Sequence, residues 1–457
     1  MRSLSSTLTQ AQKDMGAILC KIVLTSGANT YTYGVDTANL LLKVSHSEQP
    51  YSQTAKITID NSDNTLTSLS LEGYQGVLSY GYNTSAGDEY SATAPLKVKG
   101  QTLISIGGQL TCELSLFGLP DQLDEDESST TYAPDSTNTD TVKTIISAIL
   151  GATLACYNHT TAITVVYDSE DGLLDTFQPK DTFRIYVGET RLSKLKTLLG
   201  FTKCVMRAEA DGSIHIFNPT VSGATYNYEY NDAVLSTNHT FFSKSYRNVL
   251  VLPNRVVVKD DATSPTYAGT ATSATSFALL PKSNFEILAV ASTAQATAVA
   301  SAMIQKAEQA NEKGSGFAPM NVGQEVHDYI KVTDAREGDN RVGNIGYLIR
   351  TWDFQNRSYP YSIGFGFGNI LLGGSVGLGI GATGKSQDST VSYADFTRFA
   401  EQVFANFETI ATYLDQLGHQ SVWVEDTVPD TLDNLADGTT YKRVLATAIT
   451  AGNIRLS

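Results

Sequence analysis

The chain has 457 residues, a net charge of −15 and only 17% charged side chains, against a usual level of about 25%; its length asks for about three domains. Polarity comes instead from Ser, Thr, Asn, Gly and 23 Tyr, a mixture suited to strands joined by turns. No basic run exceeds two residues, which excludes a phosphate-binding groove and sequence-specific nucleic-acid recognition but leaves open an acidic conduit wall that repels phosphates.

Residues 1–14 read as a short polar arm with no signal-peptide core, of the kind that orders on a partner. Residues 15–120 read as a first β domain. Ala17–Leu24 and Tyr31–Tyr33 flank the turn Ser26-Gly27-Ala28-Asn29, and short strands follow at regular spacing as far as Phe117. That rhythm points to a barrel or sandwich. Residues 121–140 carry Asp121, Asp124, Glu125, Asp126 and Glu127 ahead of Ser, Thr and Pro. They read as a solvated acidic linker, since the spacing and glycine of an EF-hand are missing.

Residues 141–225 form a different unit. Val142, Ile145, Ile146, Ile149 and Leu150 share one helical face, and Gly151 stands where a left-handed C-terminal cap is expected. Strands are predicted at Ala162–Tyr167 and Phe183–Val187. A second helix carries Leu192, Leu195, Leu198 and Leu199, and a hairpin turns at Asp211-Gly212. This is an inserted α+β module. Residues 226–360 return to β, with an Ala-rich helix at Thr293–Lys313 opened by Ser292 and Gln295 and closed by Gly314.

Residues 361–390 read as a Gly-rich linker. Within them Ile363–Ala382 holds no charge and eight glycines. A strand plus a flexible segment is expected, because glycine weakens a helix by about 1 kcal/mol each. Membrane contact or a plug at an oligomer axis is the alternative. Residues 391–418 form a helix on which Phe396, Val403, Ile410 and Leu417 recur every seven positions, flanked by Phe399, Phe407 and Leu414. Such a seam packs either on its own domain or on copies of itself. Residues 419–457 form a small C-terminal β extension around Trp423, Tyr441 and Val444.

Chemistry-bearing patterns are scarce. Cys20, Cys112, Cys156 and Cys204 are far apart, make no CxxC pair and adjoin apolar runs. Buried free thiols are expected, not a zinc site, which suits assembly in a reducing cytoplasm. None of the six histidines has a metal-binding spacing, and there is no GxSxG elbow, Walker loop or dinucleotide fingerprint. His215, in the alternating strand Ser213–Phe217, reads as a half-exposed strand histidine. No catalytic residue and no cofactor is expected.

The order of modules carries a resemblance. Thr141–Leu150 is followed by Gly188–Leu199, then by Arg207-Ala208-Glu209-Ala210-Asp211-Gly212-Ser213-Ile214-His215-Ile216, and later by Val332-Thr333-Asp334-Ala335-Arg336-Glu337-Gly338 running on to Arg341 and Gly343. Over roughly residues 15–360 this resembles the tail hub proteins of tailed phages, relatives of contractile-tail baseplate hubs and type VI secretion spikes. The resemblance implies a mainly β fold, two tail-tube-like β-barrel or sandwich domains with an inserted α+β module. It also implies a non-enzymatic homotrimer at the distal end of a virion tail, assembled in the host cytoplasm. Six β domains in three copies would adapt a sixfold tail tube to a threefold tip. The implied partners are tail-tube or distal-tail ring proteins on one side and a central fibre, plug or receptor-binding protein on the other. The implied work is host attachment and channel closure until genome ejection. A glycan-binding tail adhesin and a cell-wall or capsule hydrolase are the rival readings.

Overall fold

The computed structural model describes residues 1–368, apart from positions 15, 36, 38, 39, 234, 236, 248, 263, 312 and 357, and the strands at 423–427 and 440–444. The first body runs Met1–Leu371. It opens with α1 (Ser6–Lys13) and then eight strands: β1 (Ile18–Ser26), β2 (Asn29–Gly34), β3 (Leu41–Gln49), β4 (Ser52–Asp60), β5 (Gln75–Thr84), β6 (Gly87–Ala92), β7 (Leu96–Ile106) and β8 (Gln109–Phe117). Alternating burial along β4 places Ala55, Ile57 and Ile59 inside and Thr54, Lys56 and Thr58 towards solvent, as a half-buried antiparallel strand requires.

The next stretch holds α2 (Leu119–Glu125), α3 (Val142–Leu150), β9 (Val165–Tyr167), α4 (Leu173–Thr176), α5 (Arg191–Gly200), β10 (Val205–Ala208) and β11 (Ile214–Phe217). Strands β12 (Tyr228–Asn231), β13 (His239–Thr240) and β14 (Ser243–Arg247) follow. Then come β15 (Arg255–Lys259), β16 (Ala268–Thr272), α6 (Ala274–Leu279), β17 (Ser283–Ile287) and α7 (Thr293–Asn311). The body closes with β18 (Lys313–Pro319), β19 (Tyr329–Asp334), β20 (Asp339–Asp353) and β21 (Tyr361–Phe367).

The fold is mainly β with an inserted α+β module, as expected, but the two β regions are not separate. They join in one 15-stranded sheet of order β13-β12-β19-β20-β3-β4-β8-β7-β5-β1-β2, with β6, β14, β18 and β21 attached at its sides. The seam is the antiparallel pairing of β20 with β3, Leu348 opposite Glu48 through Asp353 opposite Lys43. One apolar core serves both regions, with Ile22, Val44, Ile57 and Leu114 from the first and Ile330, Val332, Leu348 and Phe365 from the second. Tyr361 on β21 crosses that core: its hydroxyl donates to Leu19 O (3.0 Å) and accepts from Gly81 N–H (2.9 Å).

A second core lies in the module, and its membership redraws the expected boundaries. Val142, Ile145, Ile146, Ile149 and Leu150 of α3 and Leu192, Leu195, Leu198 and Leu199 of α5 are all buried there, as their spacing predicts. Val256, Val258, Leu288, Ala296, Val299 and Ala300 join them. Thus β15, β16, β17 and α7, expected in the second β domain, pack with the module. Gly269 of β16 allows this closeness: a Cβ there would lie 2.1 Å from the backbone nitrogen of Thr297 on α7.

Five local expectations are corrected. The N-terminal arm orders on its own chain: Ser5 caps α1, and buried Gln12 donates to the Tyr228 hydroxyl (2.9 Å) and accepts from Val322 N–H (3.1 Å). The acidic stretch is not a solvated linker, because Leu123 is buried in the second core and Ser128 and Tyr132 bond backbone to backbone with Glu189 and Ile185. Gly151 has φ −73° and does not form the left-handed cap; Ala152 takes that conformation at φ +52°. Gly314 does not close α7 but lies in β18, paired with Tyr246 and Phe367. The strand predicted at Phe183–Val187 reduces to one bridge, Tyr132 to Ile185.

The start of the Gly-rich segment has a packing reason. Residues 361–367 form β21, between β18 and β20. A Cβ on Gly366 would sit 2.1 Å from the Tyr347 ring, and one on Gly316 opposite would sit 2.3 Å from the Phe365 ring. Glycine leaves room for an aromatic ring on the neighbouring strand. Gly366→Ala is therefore expected to destabilise the body by about 1–3 kcal/mol through overpacking, read as a lower denaturant midpoint, whereas Gly100→Ala, with open space around its Cβ, should fall well short of that.

The second unit, Leu372–Ser457, contributes the antiparallel pair β22 (Trp423–Thr427) and β23 (Thr440–Val444). No helix among the described residues is long and apolar enough to cross a membrane.

Candidate functional site: a buried charge joint

The polar side chains that converge most densely do so where the first core meets the module. β3 presents His46 and Glu48, β20 presents Arg350, the segment after β18 presents Gln324, Glu325 and Asp328, and β10 presents Arg207. Arg350 is fully buried; its Nη1 lies 2.8 Å from Glu48 Oε1, and its Nη2 donates to the carbonyl of Gln324. His46 is also fully buried, 3.4 Å from Glu48, 3.2 Å from Gln53 Nε2 and 3.3 Å from the Tyr80 hydroxyl. Arg2 donates to Ala92 O (2.5 Å) and Gln324 O (3.3 Å). Arg207 binds Glu209 through Nε (3.1 Å), donates to Val326 O (3.2 Å) and faces Glu325 (3.4 Å) and Asp328 (3.7 Å).

The electrostatics fit a fixed joint. Burial pushes the His46 imidazole down to about 4, despite the pull of Glu48. Burial pushes Glu48 up, but Arg350, then His46 and Arg2, outweigh it and bring Glu48 to about 2. Burial lowers the Arg207 pKa, and the carboxylates of Glu325, Glu209 and Asp328 raise it further than that. Near neutral pH the joint thus holds a neutral His46 and an ionised Glu48 opposed by the Arg350 guanidinium. Such a network fixes geometry and offers no free acid, base or nucleophile.

His215 lies at the rim of the same region. The sequence suggested a plain half-exposed strand histidine. The structure adds a clasp of carboxylates: Asp168 at 2.9 Å from Nδ1, Asp211 at 3.1 Å and Glu209 at 3.8 Å from Nε2. Asp168 ends up beside it because β9 pairs in parallel with β11. Burial lowers the His215 pKa, but the hydrogen bonds its ring N–H groups donate to Asp168 and Asp211 and the charge of Glu209 raise it above its ordinary value. A raised folded pKa means the clasp stabilises fully below the unfolded value of about 6.5 and loses that contribution as pH rises through the folded value. His215→Asn should therefore lower the melting temperature at about pH 5 and converge on the parent in alkaline buffer. A gap that widens with pH would contradict the assignment.

The stretch Val332–Gly343 is a hairpin held by charges. Asp334 accepts from Arg336 N–H (3.1 Å) and from its guanidinium (3.0 and 3.1 Å). Lys244 reaches Asp339 (2.8 Å) and Glu337 (3.1 Å), and Gly338 turns at φ +65°. These residues build a turn, not a reaction centre.

All four cysteines are buried and free, and among the described residues no group of His, Cys, Asp and Glu is arranged to hold a metal ion. A cavity of about 490 Å³ between α7 and β16 is lined by Lys203, Ser222, Thr272, Ser301, Gln305 and Glu308 among others. Its single carboxylate does not supply the pair that glycoside hydrolysis uses. The expected seam residues Phe396, Phe399, Val403, Phe407, Ile410, Leu414 and Leu417 lie outside the described residues. Sequence reasoning missed the joint, whose members are brought together from residues 2, 46, 48, 207, 325 and 350; a charge set inside apolar strands, as at Arg350 in Tyr347–Trp352, was the one available signal.

No protein-family model matches the chain, and no curated protein matches it. Solved structures do. A tail protein from Neisseria meningitidis is similar with a TM-score of 0.53 at 11% identity, covering 76% of this chain and 96% of that one. The 43 kDa tail protein of prophage MuSo2 from Shewanella oneidensis is similar with a TM-score of 0.50 at 14% identity, covering 77% and 98%. An E. coli component of the type VI secretion system aligns with a TM-score of 0.43 at 12% identity, covering 77% of each. With 96% and 98% of those two tail proteins covered, this chain has the tail-protein fold that its sequence resembles.

Proposed function

We propose that the chain is a structural hub of a phage tail tip or baseplate, acting as a homotrimer. The observation that carries this reading is the pairing of β20 with β3, which locks two β regions of one chain into a single sheet. Three such chains present six β regions, which matches a sixfold tube to a threefold tip. The joint supports a structural role, because its ion pairs tie β20 to β3 and β10 to the segment after β18. Exposed apolar side chains supply contact surfaces: Leu103 and Ile106 at the tip of the β7–β8 hairpin, and Leu279, Leu280, Phe285 and Ile287 along α6 and β17. Patches of this kind mark interfaces. The reading assigns them to neighbouring subunits, tail-tube or distal-tail rings, and a fibre, plug or receptor-binding protein.

Sedimentation velocity of the full chain tests the trimer. Three copies per particle are expected, dissociating in the Phe396→Asp/Ile410→Asp variant. A monomer at every concentration, unchanged in that variant, would contradict the seam.

One observation favours a second reading, a tail adhesin for host glycans. Phe242, Phe317 and Tyr359 form an aromatic triangle with centroids 4.7–5.3 Å apart, and Phe242 and Tyr359 are exposed. Aromatic faces stack on sugars. A glycan array with no binding by the assembled protein would remove this reading.

A further inference from the structure

The joint borders a small pocket of about 30 Å³, partly open to solvent and lined by Arg2, Glu48, Gln53, Thr93, Arg207 and Glu325 among others. Two polar atoms on its lining are buried without a hydrogen-bond partner, the donor Arg2 Nε and the acceptor Gln53 Oε1. Gln53 is only 4% exposed, and its amide nitrogen is already engaged by His46 Nε2 at 3.2 Å. Leaving such a donor and acceptor unpaired in the interior would each cost about 1–3 kcal/mol.

We propose that this cavity is a binding site for about two structural water molecules, which bridge Arg2 Nε to Gln53 Oε1. The chemistry selects water over an anion. A chloride accepts hydrogen bonds but donates none, so it leaves Gln53 Oε1 unsatisfied. It would also face the carboxylates of Glu48 and Glu325, which share the lining. A metal cation would meet the guanidiniums of Arg2 and Arg207. Water donates to Gln53 and to a carboxylate while accepting from Arg2, and the volume suits it: each water needs about 10–15 Å³ by this measure. The water bridge ties the N-terminal segment to β4, the neighbour of β3, so it belongs to the joint. It is independent of the hub reading.

The test is a crystal structure of the full chain at a resolution that orders interior waters, with a second crystal soaked in bromide. A peak within hydrogen-bond distance of both Arg2 Nε and Gln53 Oε1, with no anomalous bromide signal, is expected. A bromide peak in the cavity would overturn the proposal in favour of an anion, and a cavity without density would overturn it outright. Gln53→Leu removes the acceptor and should abolish the peak beside Arg2; an unchanged peak there would show that Gln53 does not hold it. Should that variant fail to fold, the two parent crystals decide.

Discussion

Arg350→Met is expected to destabilise the body by about 3–5 kcal/mol, read as a fall in denaturant midpoint. The cause is the charge left behind. Glu48 lies 2.8 Å from the lost guanidinium, and the Gln324 carbonyl keeps only its longer bond from Arg2 (3.3 Å). His46 is no substitute, because burial holds it neutral down to about pH 4. Replacing both partners, Arg350→Met with Glu48→Leu, removes the stranded charge and should recover much of the loss, since buried pairs exchanged for apolar residues are often neutral or better. A double variant as unstable as the sum of the two singles would mean that the pair contributes packing alone. Since Glu48 and Arg350 sit at the β3–β20 seam, the unfolding should be cooperative across both β regions.

The second large effect is expected at Arg191, in the module. This arginine is fully buried at the start of α5. It donates to Ile149 O (3.1 Å), Leu150 O (2.6 Å) and Thr161 O (2.8 Å), and pairs with Asp126 (2.7 Å). Ile149 and Leu150 are the last residues of α3, whose carbonyls have no partner within the helix. With the amides of Ala152 and Ile163, which bond the same two carbonyls, this side chain closes α3; it also fixes α5 against α3 and holds the acidic stretch in place. Arg191→Ala should cost about 3–5 kcal/mol. Hydrogen exchange should quicken in α3 and α5 before it does in β3, β4 or β20. Uniform exchange changes over the whole body would contradict a local role. Lys does not replace it, because a single ammonium cannot span three carbonyls and a carboxylate in one plane.

The parts of the fold governed by local pattern were legible in the sequence. The apolar faces of α3 and α5, the turn at Asp211-Gly212 and the box opening α7 follow from spacing and residue type. In that box Gln295 N–H donates to Ser292 Oγ at 3.1 Å. What local pattern cannot carry is which element joins which core. Strand β15 reads as any short apolar strand, yet Val256 and Val258 point into the module's core, not the sheet's. The acidic stretch failed for a related reason. Its charges look solvated, but Asp126 is spent on Arg191, 65 residues away. The joint was illegible because each member is an ordinary residue on its own strand. Only the pairing of β20 with β3 puts Arg350 against Glu48. The Gly-rich segment was half legible: the strand was expected, while the aromatic rings that require Gly316 and Gly366 come from neighbouring strands.

In the proposed role this chain forms the symmetry-matching tip of a tail. Electron cryo-microscopy of intact particles tests it most directly. The account predicts density for the Met1–Gly368 body in three copies around the tail axis at the distal end, six β regions facing the tube above them. Density for the body along the shaft, on the head, or as single copies off the axis would contradict it.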